Sequence, residues 1–369
     1  MSIRTLSKND TDLMTRTIFI LLPSPHPTGP IKGAIALANI ISKKHPTTIV
    51  YLKSGPGVDT PVASSIRTVS LANRKNLIKK ILAYRKLVSR GGGCQKKVSI
   101  SFCFSADLTN LFCLKQATIV SYIRGNLPIN YQYEFGKIGF LVAALHLYFM
   151  RWFNHVVSMN TTMGHQIEKY CGKQPHIVGN FVDESFLRQF NNQPQQKEGP
   201  FRFIYVGRLA ALKKVHTILK AAKNLKFERY PFHLDIVGDG QLLTELEHYV
   251  KRYQIDDRVT FHGHLKSPYS LMAQADCLVL PSITEGVSRS VLEALYLGVP
   301  CLVRNIDGNA ELITNGGNGY LFQKDTELSD LMIKTADLSR RLSSQRYHLL
   351  PDNCRQEANA QKLLGIING

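Results

Sequence analysis

Residues 280–300 read LPSITEGVSRSVLEALYLGVP. A strand-like apolar run ends at Leu280, a polar loop then carries Glu285 and Gly286, and a helix-like segment follows from Ser288 to Leu297. A strand, a polar loop and a helix in this order form the local unit in which open α/β sheets bind ligands, at the carboxyl ends of their strands. The stretch therefore predicts an α/β fold and the edge of the sheet at which a ligand would bind.

Glu293 is the unusual residue of this helix, because the run Val291-Leu292-Glu293-Ala294-Leu295 surrounds it with apolar neighbours. A carboxylate in an apolar helix needs a partner for its charge. A structural explanation exists, since Ser290 followed three residues later by Glu293 fits the helix-capping box. From these residues alone, a capping role and a ligand-binding role explain Glu293 equally well.

Strands and helices alternate on both sides of a polar segment, residues 191–200, which contains two prolines and shows no periodicity. Such alternation predicts parallel, doubly wound sheets. The predicted fold class is therefore α/β, with two Rossmann-like doubly wound domains that face each other across a cleft. The predicted boundaries are an N-terminal domain at 1–183, a linker at 184–200, a C-terminal domain at 201–350 and a C-terminal helix at 351–369 that packs back toward the N-terminal domain.

The charge of the chain is concentrated in its first half. The 369 residues include 46 Lys and Arg against 27 Asp and Glu, a net charge of +19. Residues 1–183 hold 23 of the basic residues but only 7 of the acidic ones. This half is expected to face something anionic: a phospholipid surface, a phosphorylated lipid or a nucleic acid.

The cysteines argue against a disulfide framework and against a structural zinc site. They are odd in number, scattered, and include no C-x-x-C pair: Cys94, Cys103, Cys113, Cys171, Cys277, Cys301 and Cys354. Reduced thiols in the cytosol are the expectation. The residues before the first predicted strand, with Asp10 and Asp12, do not resemble a signal peptide.

Two segments of the basic half are candidates for contact with lipid. Asn73–Arg90 predicts an amphipathic helix with a basic face, which fits an anionic membrane surface and fits a solvated surface helix equally well. Tyr131–Phe153 predicts a long apolar helix, and its part from Phe140 to Met150 fits either a buried core or lipid contact.

Three more loops of the second half follow predicted strands. Gly207 and Arg208, with Lys213 at the start of a helix, make an anion site suited to phosphate groups. The turn at 237–240 lacks the third glycine of the dinucleotide fingerprint, which argues against a nicotinamide site. Residues 261–264, Phe-His-Gly-His, offer flat side chains suited to holding a base. Each loop taken alone also fits an ordinary structural or surface role.

Together these motifs resemble glycosyltransferase family 4, whose members are retaining, nucleotide-sugar-dependent enzymes with the two-domain GT-B fold. The matching motifs are Gly207-Arg208-Leu209 with Lys213, Val237-Gly238-Asp239-Gly240, Arg258-Val259-Thr260-Phe261-x-Gly263, Pro281-Ser282-x-x-Glu285-Gly286 with Glu293-Ala294, and Gly308-Asn309-x-Glu311-Leu312-Ile313 followed by Gly319. They cover about residues 201–323 in the order and spacing of the family. In the first half the resemblance is fainter. It rests on Gly29–Gly33, which stands where the family has a glycine-rich loop on the acceptor side, and on Asn180-x-x-Asp183.

The resemblance implies a role for each matching residue. Arg208 and Lys213 would neutralise the diphosphate of the donor, which must leave with its charge stabilised. Glu285 would contact hydroxyls of the transferred sugar, and Glu293 would contact the ribose hydroxyls. The other implied binding positions are Gly286, Ser288 and Arg289 at the helix start, Gly238, His262 and His264 around the nucleotide, and Gly29 and Gly33 on the acceptor side. No cofactor and no metal ion is expected, because protein cations replace the metal.

The sequence departs from the family pattern at two positions. Lys214 stands where the family often has glycine after the motif lysine. Arg124 stands in the N-terminal loop where many members carry a histidine near the reacting sugar, and it is expected to face the donor phosphate or the acceptor. No protein nucleophile is assigned, because retaining transfer in this fold usually shows none.

The implied function is a retaining, metal-independent hexosyltransferase of cell-surface polysaccharide or lipopolysaccharide synthesis. Its expected donor is a nucleotide sugar carried by uridine diphosphate (UDP), and its expected acceptor is a glycan or a lipid-linked saccharide. The expected location is the cytoplasm, with peripheral contact with the inner face of the membrane through Asn73–Arg90. A sugar-nucleotide epimerase of the same two-domain layout stays open as an alternative, and so does a nucleic-acid-binding protein, although no nucleic-acid module is recognisable.

Overall fold

The computed structural model of the chain describes residues 16–58, 60–91, 95–190, 199–342 and 349–368, the side chains of Asp307 and Ala336 excepted. The chain forms two compact units. The first unit extends to Phe181 and resumes at Glu357, and the second runs from Val182 to Gln356.

The first unit is built on a parallel sheet of seven strands among the described residues. The strands are β1 (Thr17–Leu22), β2 (Thr47–Tyr51), β3 (Arg67–Ser70), β4 (Lys97–Ser101), β5 (Thr118–Ile123), β6 (His155–Ser158) and β7 (His176–Ile177). The helices are α1 (Gly29–Ile41), α2 (Leu77–Arg90), α3 (Phe104–Leu111), α4 (Leu127–Phe135), α5 (Ile138–Phe149) and α6 (Thr161–Cys171). The strand order is β3-β2-β1-β4-β5-β6-β7, so the order reverses between β1 and β4.

The second unit repeats this design with six described strands. They are β8 (Phe201–Val206), β9 (Phe232–Val237), β10 (Val259–Gly263), β11 (Cys277–Leu280), β12 (Cys301–Arg304) and β13 (Gly319–Phe322). The helices are α7 (Glu184–Leu187), α8 (Val215–Phe227), α9 (Leu243–Arg252), α10 (Tyr269–Gln274), α11 (Arg289–Tyr296), α12 (Asp307–Ala310) and α13 (Leu328–Arg341). The strand order is β10-β9-β8-β11-β12-β13, and the reversal lies between β8 and β11.

Burial of the central strands explains why both sheets are parallel. Every residue of β1, TIFILL, is buried, as is every residue of β11, CLVL. Parallel sheets carry helices on both faces, so their strands are continuous apolar runs rather than alternating ones. All strand pairs are parallel in both units. The prediction of two doubly wound α/β domains is confirmed.

The final helix, α14 (Gln356–Asn368), belongs to the first unit from Glu357 onward. Asn359 attaches it there, because its Oδ1 accepts a 2.9 Å hydrogen bond from the Gly179 backbone N–H. Of the predicted linker at 184–200, residues 184–190 form helical turns of the second unit, and residues 191–198 lie outside the described residues.

Three helices differ from their predicted extents. The basic helix α2 begins at Leu77 and not at Asn73, because the side chain of Asn76 caps its N-terminus. The segment with Gly29 and Gly33 is not a loop, because α1 begins at Gly29 with Pro30 in its first turn, where proline needs no hydrogen bond from its nitrogen. The single long helix predicted at Tyr131–Phe153 is instead a helical hairpin of α4 and α5. Gly136 breaks it, with a positive φ of 63° that glycine adopts without strain.

Candidate active site

The loops after β8 and β11 lie side by side at the point where the strand order of the second unit reverses. Open α/β sheets bind ligands at this point, outside the carboxyl ends of the strands. The Ile283 backbone N–H donates a 2.9 Å hydrogen bond to the Leu212 carbonyl. The Lys213 ammonium lies 2.5 Å from a Glu285 carboxylate oxygen, and both side chains are largely buried. The structure thus brings together two residues that the sequence places 72 positions apart.

Arg208 lies in the first of these loops with its side chain exposed. The Tyr205 hydroxyl fixes the loop backbone by donating a 3.0 Å hydrogen bond to the Arg208 carbonyl. Burial, and secondly the charge of Glu285, raises the pKa of Tyr205, so this phenol stays a hydrogen-bond donor at neutral pH. Among the described residues, no carboxylate pairs with the Arg208 guanidinium, whereas the Lys213–Glu285 pair is neutral as a unit.

Gly238 has a packing role that the sequence did not reveal. A Cβ at this position would lie 1.8 Å from the Gly207 carbonyl oxygen, and its φ of 145° is strained for other residues. The backbone N–H groups of Gly207 and Leu209 in turn bond the Val237 and Asp239 carbonyls. Close backbone approach explains this glycine, and its contact with a nucleotide stays a prediction.

Glu293 forms a buried ion pair on the first turns of α11. Arg289 Nη2 lies 2.7 Å and Arg289 Nε 3.2 Å from Glu293 Oε1, and the two side chains are only 9% and 8% exposed. The Tyr269 hydroxyl donates a weak 3.4 Å hydrogen bond to the same oxygen. All hydrogen bonds that Glu293 makes with described side chains therefore use Oε1, and Oε2 keeps its capacity to accept.

The capping role suggested for Ser290 is wrong. Helix α11 begins at Arg289, so Ser288 is its N-cap and Ser290 already lies inside the helix. The two hydroxyls lie 3.1 Å apart, and the side chain of Ser288 makes no capping hydrogen bond. The partner that the charge of Glu293 requires is Arg289.

The two histidines predicted to line the base differ in their surroundings. His262 Nε2 lies 2.7 Å from Oδ1 of Asp235, a buried carboxylate that Arg202 also contacts at 3.0 Å. This bond gives His262 a structural role, and its contact with a base stays a prediction. His264 is exposed.

The first unit brings three of the singled-out residues together. Arg124 donates a hydrogen bond to Asn180 Oδ1. A Cβ at position 33 would lie 2.2 Å from Arg124 Nη2, so Gly33 provides the space that this guanidinium occupies. The guanidinium also lies over the Tyr122 ring, 5.2 Å from its centroid. Gly29 has no such constraint, because a Cβ there would contact nothing within 4 Å.

Arg304, in the second unit, belongs to none of the motifs found in the sequence, but it contacts the loop after β11. Its Nε donates a 3.0 Å hydrogen bond to the Pro281 carbonyl, and its Nη2 lies 2.5 Å from Asp325 Oδ1. Burial of Asp325 opposes its ionisation, but the hydrogen bond and charge of Arg304 outweigh this and lower the pKa of Asp325. Arg304 thus holds the start of the loop that carries Glu285.

Lys214 occupies a backbone conformation that explains why glycine is frequent at this position in the family. Its φ of 50° and ψ of 38° are left-handed, at the junction between the turn 211–213 and α8. A left-handed conformation costs a non-glycine residue roughly 1–2 kcal/mol.

We expect Lys214→Gly to raise the free energy of unfolding by about 1 kcal/mol, because glycine adopts this conformation without the steric cost. Urea denaturation measures the change. Lys220→Gly is the matched control: Lys220 is exposed within α8, where glycine should lower stability by about 1 kcal/mol. Destabilisation by both substitutions would contradict the conformational explanation.

The comparisons with known proteins find similarity to glycosyltransferases. Residues 188–347 match the family model described as Glycosyl transferases group 1. The chain is 27% identical over 206 residues to an uncharacterized glycosyltransferase of Methanocaldococcus jannaschii, covering 53% of this chain and 50% of that protein. It is 32% identical over 176 residues to the UDP-Gal:alpha-D-GlcNAc-diphosphoundecaprenol alpha-1,3-galactosyltransferase of Escherichia coli, covering 47% of this chain and 42% of that protein. The alignments thus span about half the length of these curated relatives.

Among solved structures, the Anabaena protein HepE in complex with UDP and glucose is similar with a TM-score of 0.69 and 17% identity, covering 94% of this chain and 98% of that one. At this identity the similarity shows the fold, and the predicted GT-B fold is confirmed. The resemblance to glycosyltransferases is confirmed too, whereas membership of family 4 in particular stays a prediction. The family match at residues 188–347 thus falls within the second unit, Val182–Gln356.

Proposed function

We propose that the protein is a retaining glycosyltransferase that moves a hexose from a UDP-sugar to a glycan or lipid-linked saccharide in cell-surface polysaccharide or lipopolysaccharide synthesis. One observation carries the proposal: Arg208 lies in the loop that leads to Lys213, and Lys213 pairs with Glu285, at the strand-order reversal of the unit that matches the glycosyl transferases group 1 model. The names of the similar proteins support UDP as the carrier and a saccharide as the acceptor.

In the proposed mechanism, each charged group of the second unit has a separate task. Arg208 binds the diphosphate and stabilises the charge that develops as it leaves, with Lys213 beside it. Glu285 holds Lys213 in place and accepts hydrogen bonds from hydroxyls of the transferred sugar. Glu293 accepts hydrogen bonds from the ribose through Oε2, while Arg289 keeps its other oxygen occupied.

Retention of configuration and independence of metal ions are parts of the proposal. The two cations at the strand-order reversal support metal independence, because they supply the positive charge that a divalent ion would otherwise bring to the diphosphate. No protein nucleophile is assigned, and no cofactor is proposed. Activity that survives EDTA, with the anomeric configuration of the donor kept in the product, is the expected result.

A thermal-shift screen of nucleotides and nucleotide sugars tests the donor. A ligand that binds only the folded state raises the melting temperature, by the equivalent of about 2.7 kcal/mol at a concentration 100 times Kd. We expect UDP and at least one UDP-sugar to raise it more than ADP or GDP. A screen without any shift would contradict the proposal, and an epimerised sugar nucleotide as the only product would replace it.

We further propose that the first unit contacts an anionic membrane surface through α2. Ile78 and Leu82 on this helix are 68% and 56% exposed, beside a row of lysines and arginines. Exposed apolar side chains next to basic ones are the features of helices that lie in the membrane interface. Among the described residues, no helix is both long enough and apolar enough to cross a bilayer.

We expect vesicles that contain phosphatidylserine to bind the protein at low salt and to release it at high salt, because Lys and Arg near an anionic surface contribute about 1 kcal/mol each. Trp152, the single tryptophan, is 43% exposed in the same unit and can report binding by fluorescence. Ile78→Glu with Leu82→Glu should weaken binding by about tenfold or more.

Phe227→Glu is the control, since Phe227 is an 89% exposed apolar residue of the other unit. Equal weakening by this control, or no vesicle binding at any ionic strength, would contradict a membrane role for α2.

A further inference from the structure

A chain of hydrogen bonds runs through the apolar interior of the first unit and joins four of its elements. Ser101 Oγ donates to Asp107 Oδ1 at 2.6 Å. Asp107 Oδ2 lies 2.9 Å from His146 Nε2, and both of these side chains are only 2% exposed. His146 Nδ1 lies 3.0 Å from the Tyr131 hydroxyl. Sequence analysis assigned no role to any of the four residues.

The direction of these bonds follows from the chemistry of the groups. An ionised Asp107 only accepts, so His146 Nε2 carries the hydrogen of that bond. Nδ1 is left to bond the Tyr131 hydroxyl, and in the neutral form of the imidazole it accepts the hydrogen of that hydroxyl. Burial, and secondly the charge of Asp107, raises the pKa of Tyr131, so the phenol keeps this hydrogen at neutral pH. The lone pairs of the Tyr131 oxygen can therefore accept a hydrogen bond from a ligand.

Tyr131 ends the chain at the wall of a cavity of about 410 Å³. The cavity lies beside α3, α4 and α5, and its lining is mostly apolar and aromatic, including Phe104 and Phe135. Beside Tyr131, its polar lining residues are Ser105, Asp107, Arg124, Asn130, Glu134 and His146. The volume is within the range of small-molecule sites, roughly 300–1,000 Å³. Aromatic faces with a few fixed polar groups suit a sugar ring, which has apolar C–H faces and a rim of hydroxyls.

A purely structural purpose, attachment of the α4–α5 hairpin, explains less of this arrangement. The two helices of the hairpin hold each other by close backbone packing, since a Cβ at Gly139 would lie 1.9 Å from the Tyr131 carbonyl oxygen, and α5 also packs against α6. Burying a carboxylate and an imidazole for attachment alone costs free energy that apolar side chains would not. A functional role explains why the buried carboxylate and imidazole are present, since the hydrogen-bonded chain orients the Tyr131 hydroxyl at the cavity wall.

We propose that this cavity is the acceptor subsite: it binds a sugar ring of the acceptor, one hydroxyl of which donates a hydrogen bond to the Tyr131 oxygen, while His146 and Asp107 position that phenol. This inference rests on the proposed function. It names the residues that select a saccharide acceptor, which neither the family motifs nor the similar proteins assign.

Cys103 allows a direct test, because the accessible surface of this cysteine lies at the cavity. Its surroundings raise the pKa of the thiol to about 12, so the labelling is run at alkaline pH to form enough thiolate. The probes are the n-octyl β-glycosides of glucose, galactose and N-acetylglucosamine, each below its micelle-forming concentration. The rate at which N-ethylmaleimide labels the Cys103 peptide is followed by mass spectrometry. We expect at least one octyl glycoside to slow the labelling of Cys103 in the wild type.

Tyr131→Phe keeps the ring and removes the hydroxyl. Loss of one hydrogen bond should raise the glycoside concentration needed for half-protection by about three- to tenfold. Tyr133→Phe is the matched control, since Tyr133 lies on the same helix, is 52% exposed and is not part of the cavity wall. Its half-protection concentration should equal that of the wild type.

Absence of protection by all three glycosides, or equal protection of wild type and Tyr131→Phe, would overturn the acceptor subsite. The thermal shift caused by UDP, measured on the same samples, reports the donor site separately. A retained UDP shift in a protein that fails the labelling test would reject this inference and leave the proposed function standing. Loss of the UDP shift in the wild type would reject the proposed function itself.

Discussion

Replacing Arg208 by alanine is expected to lower the rate of sugar transfer by about 10²- to 10³-fold, the usual effect of removing one group that stabilises charge in a transition state. We expect this because Arg208 and Lys213, the two cations at the strand-order reversal, differ in whether a carboxylate balances their charge. Glu285 already neutralises Lys213, whereas no described carboxylate pairs with Arg208. A diphosphate that arrives there meets the charge of Arg208 without having to displace an internal partner.

The exposure of Arg208 makes this variant easy to interpret. An exposed side chain without an ion-pair partner can be truncated with little effect on stability, usually within about 0.5 kcal/mol. Steady-state transfer from a UDP-sugar, with the melting temperature as a check on folding, measures the effect. Arg252→Ala is the control, because Arg252 is an exposed residue in the last turn of α9. Near-normal transfer by Arg208→Ala would remove the main support for the proposed donor site.

The second large effect is expected at Glu293. Glu293→Ala removes the carboxylate that forms the buried ion pair with Arg289, and breaking a buried pair from one side costs up to about 3–5 kcal/mol. The same change removes the oxygen assigned to the ribose. We therefore expect Glu293→Ala to lower both the free energy of unfolding and the affinity for UDP.

Removing both partners separates the two roles. In Arg289→Ala with Glu293→Ala no buried charge is left unpaired, so part of the lost stability should return. UDP affinity should stay low, because the carboxylate is still missing. Urea denaturation and UDP titration of the wild type and of these two variants provide the measurements. Recovery of UDP affinity together with stability would show that Glu293 only supports the fold.

The sequence predicted the parts of this protein that depend on short-range patterns. Apolar runs such as the one that ends at Leu280 predicted buried strands such as β11, because strands buried on both faces must be apolar throughout. Their alternation with helices was enough for the doubly wound class. The strand-end loops, and with them Arg208 and Lys213, followed from this class and from the family resemblance.

Contacts between distant residues could not be read in the same way. Ser288 and Ser290 both suit an N-cap, and only the backbone of the preceding loop decides that α11 begins at Arg289. His146 interrupts an apolar run, but its partner Asp107 is 39 residues away on another helix. Gly33 resembled a loop glycine until the position of the Arg124 guanidinium showed what space it provides. Each of these roles is set by the neighbour and not by the local pattern.

The attachment of α14 to the first unit has a consequence for synthesis on the ribosome. Domains generally fold as units, with the N-terminal one first as the chain emerges. Here the first unit lacks its last helix until the whole second unit has been translated, because Val182–Gln356 separates Phe181 from Glu357. During that interval the backbone N–H of Gly179 cannot form its hydrogen bond with Asn359, which has not yet been synthesised. The nascent first unit therefore exposes the surface that α14 will cover for as long as the second unit takes to be made. The second unit is the one that can complete its fold first.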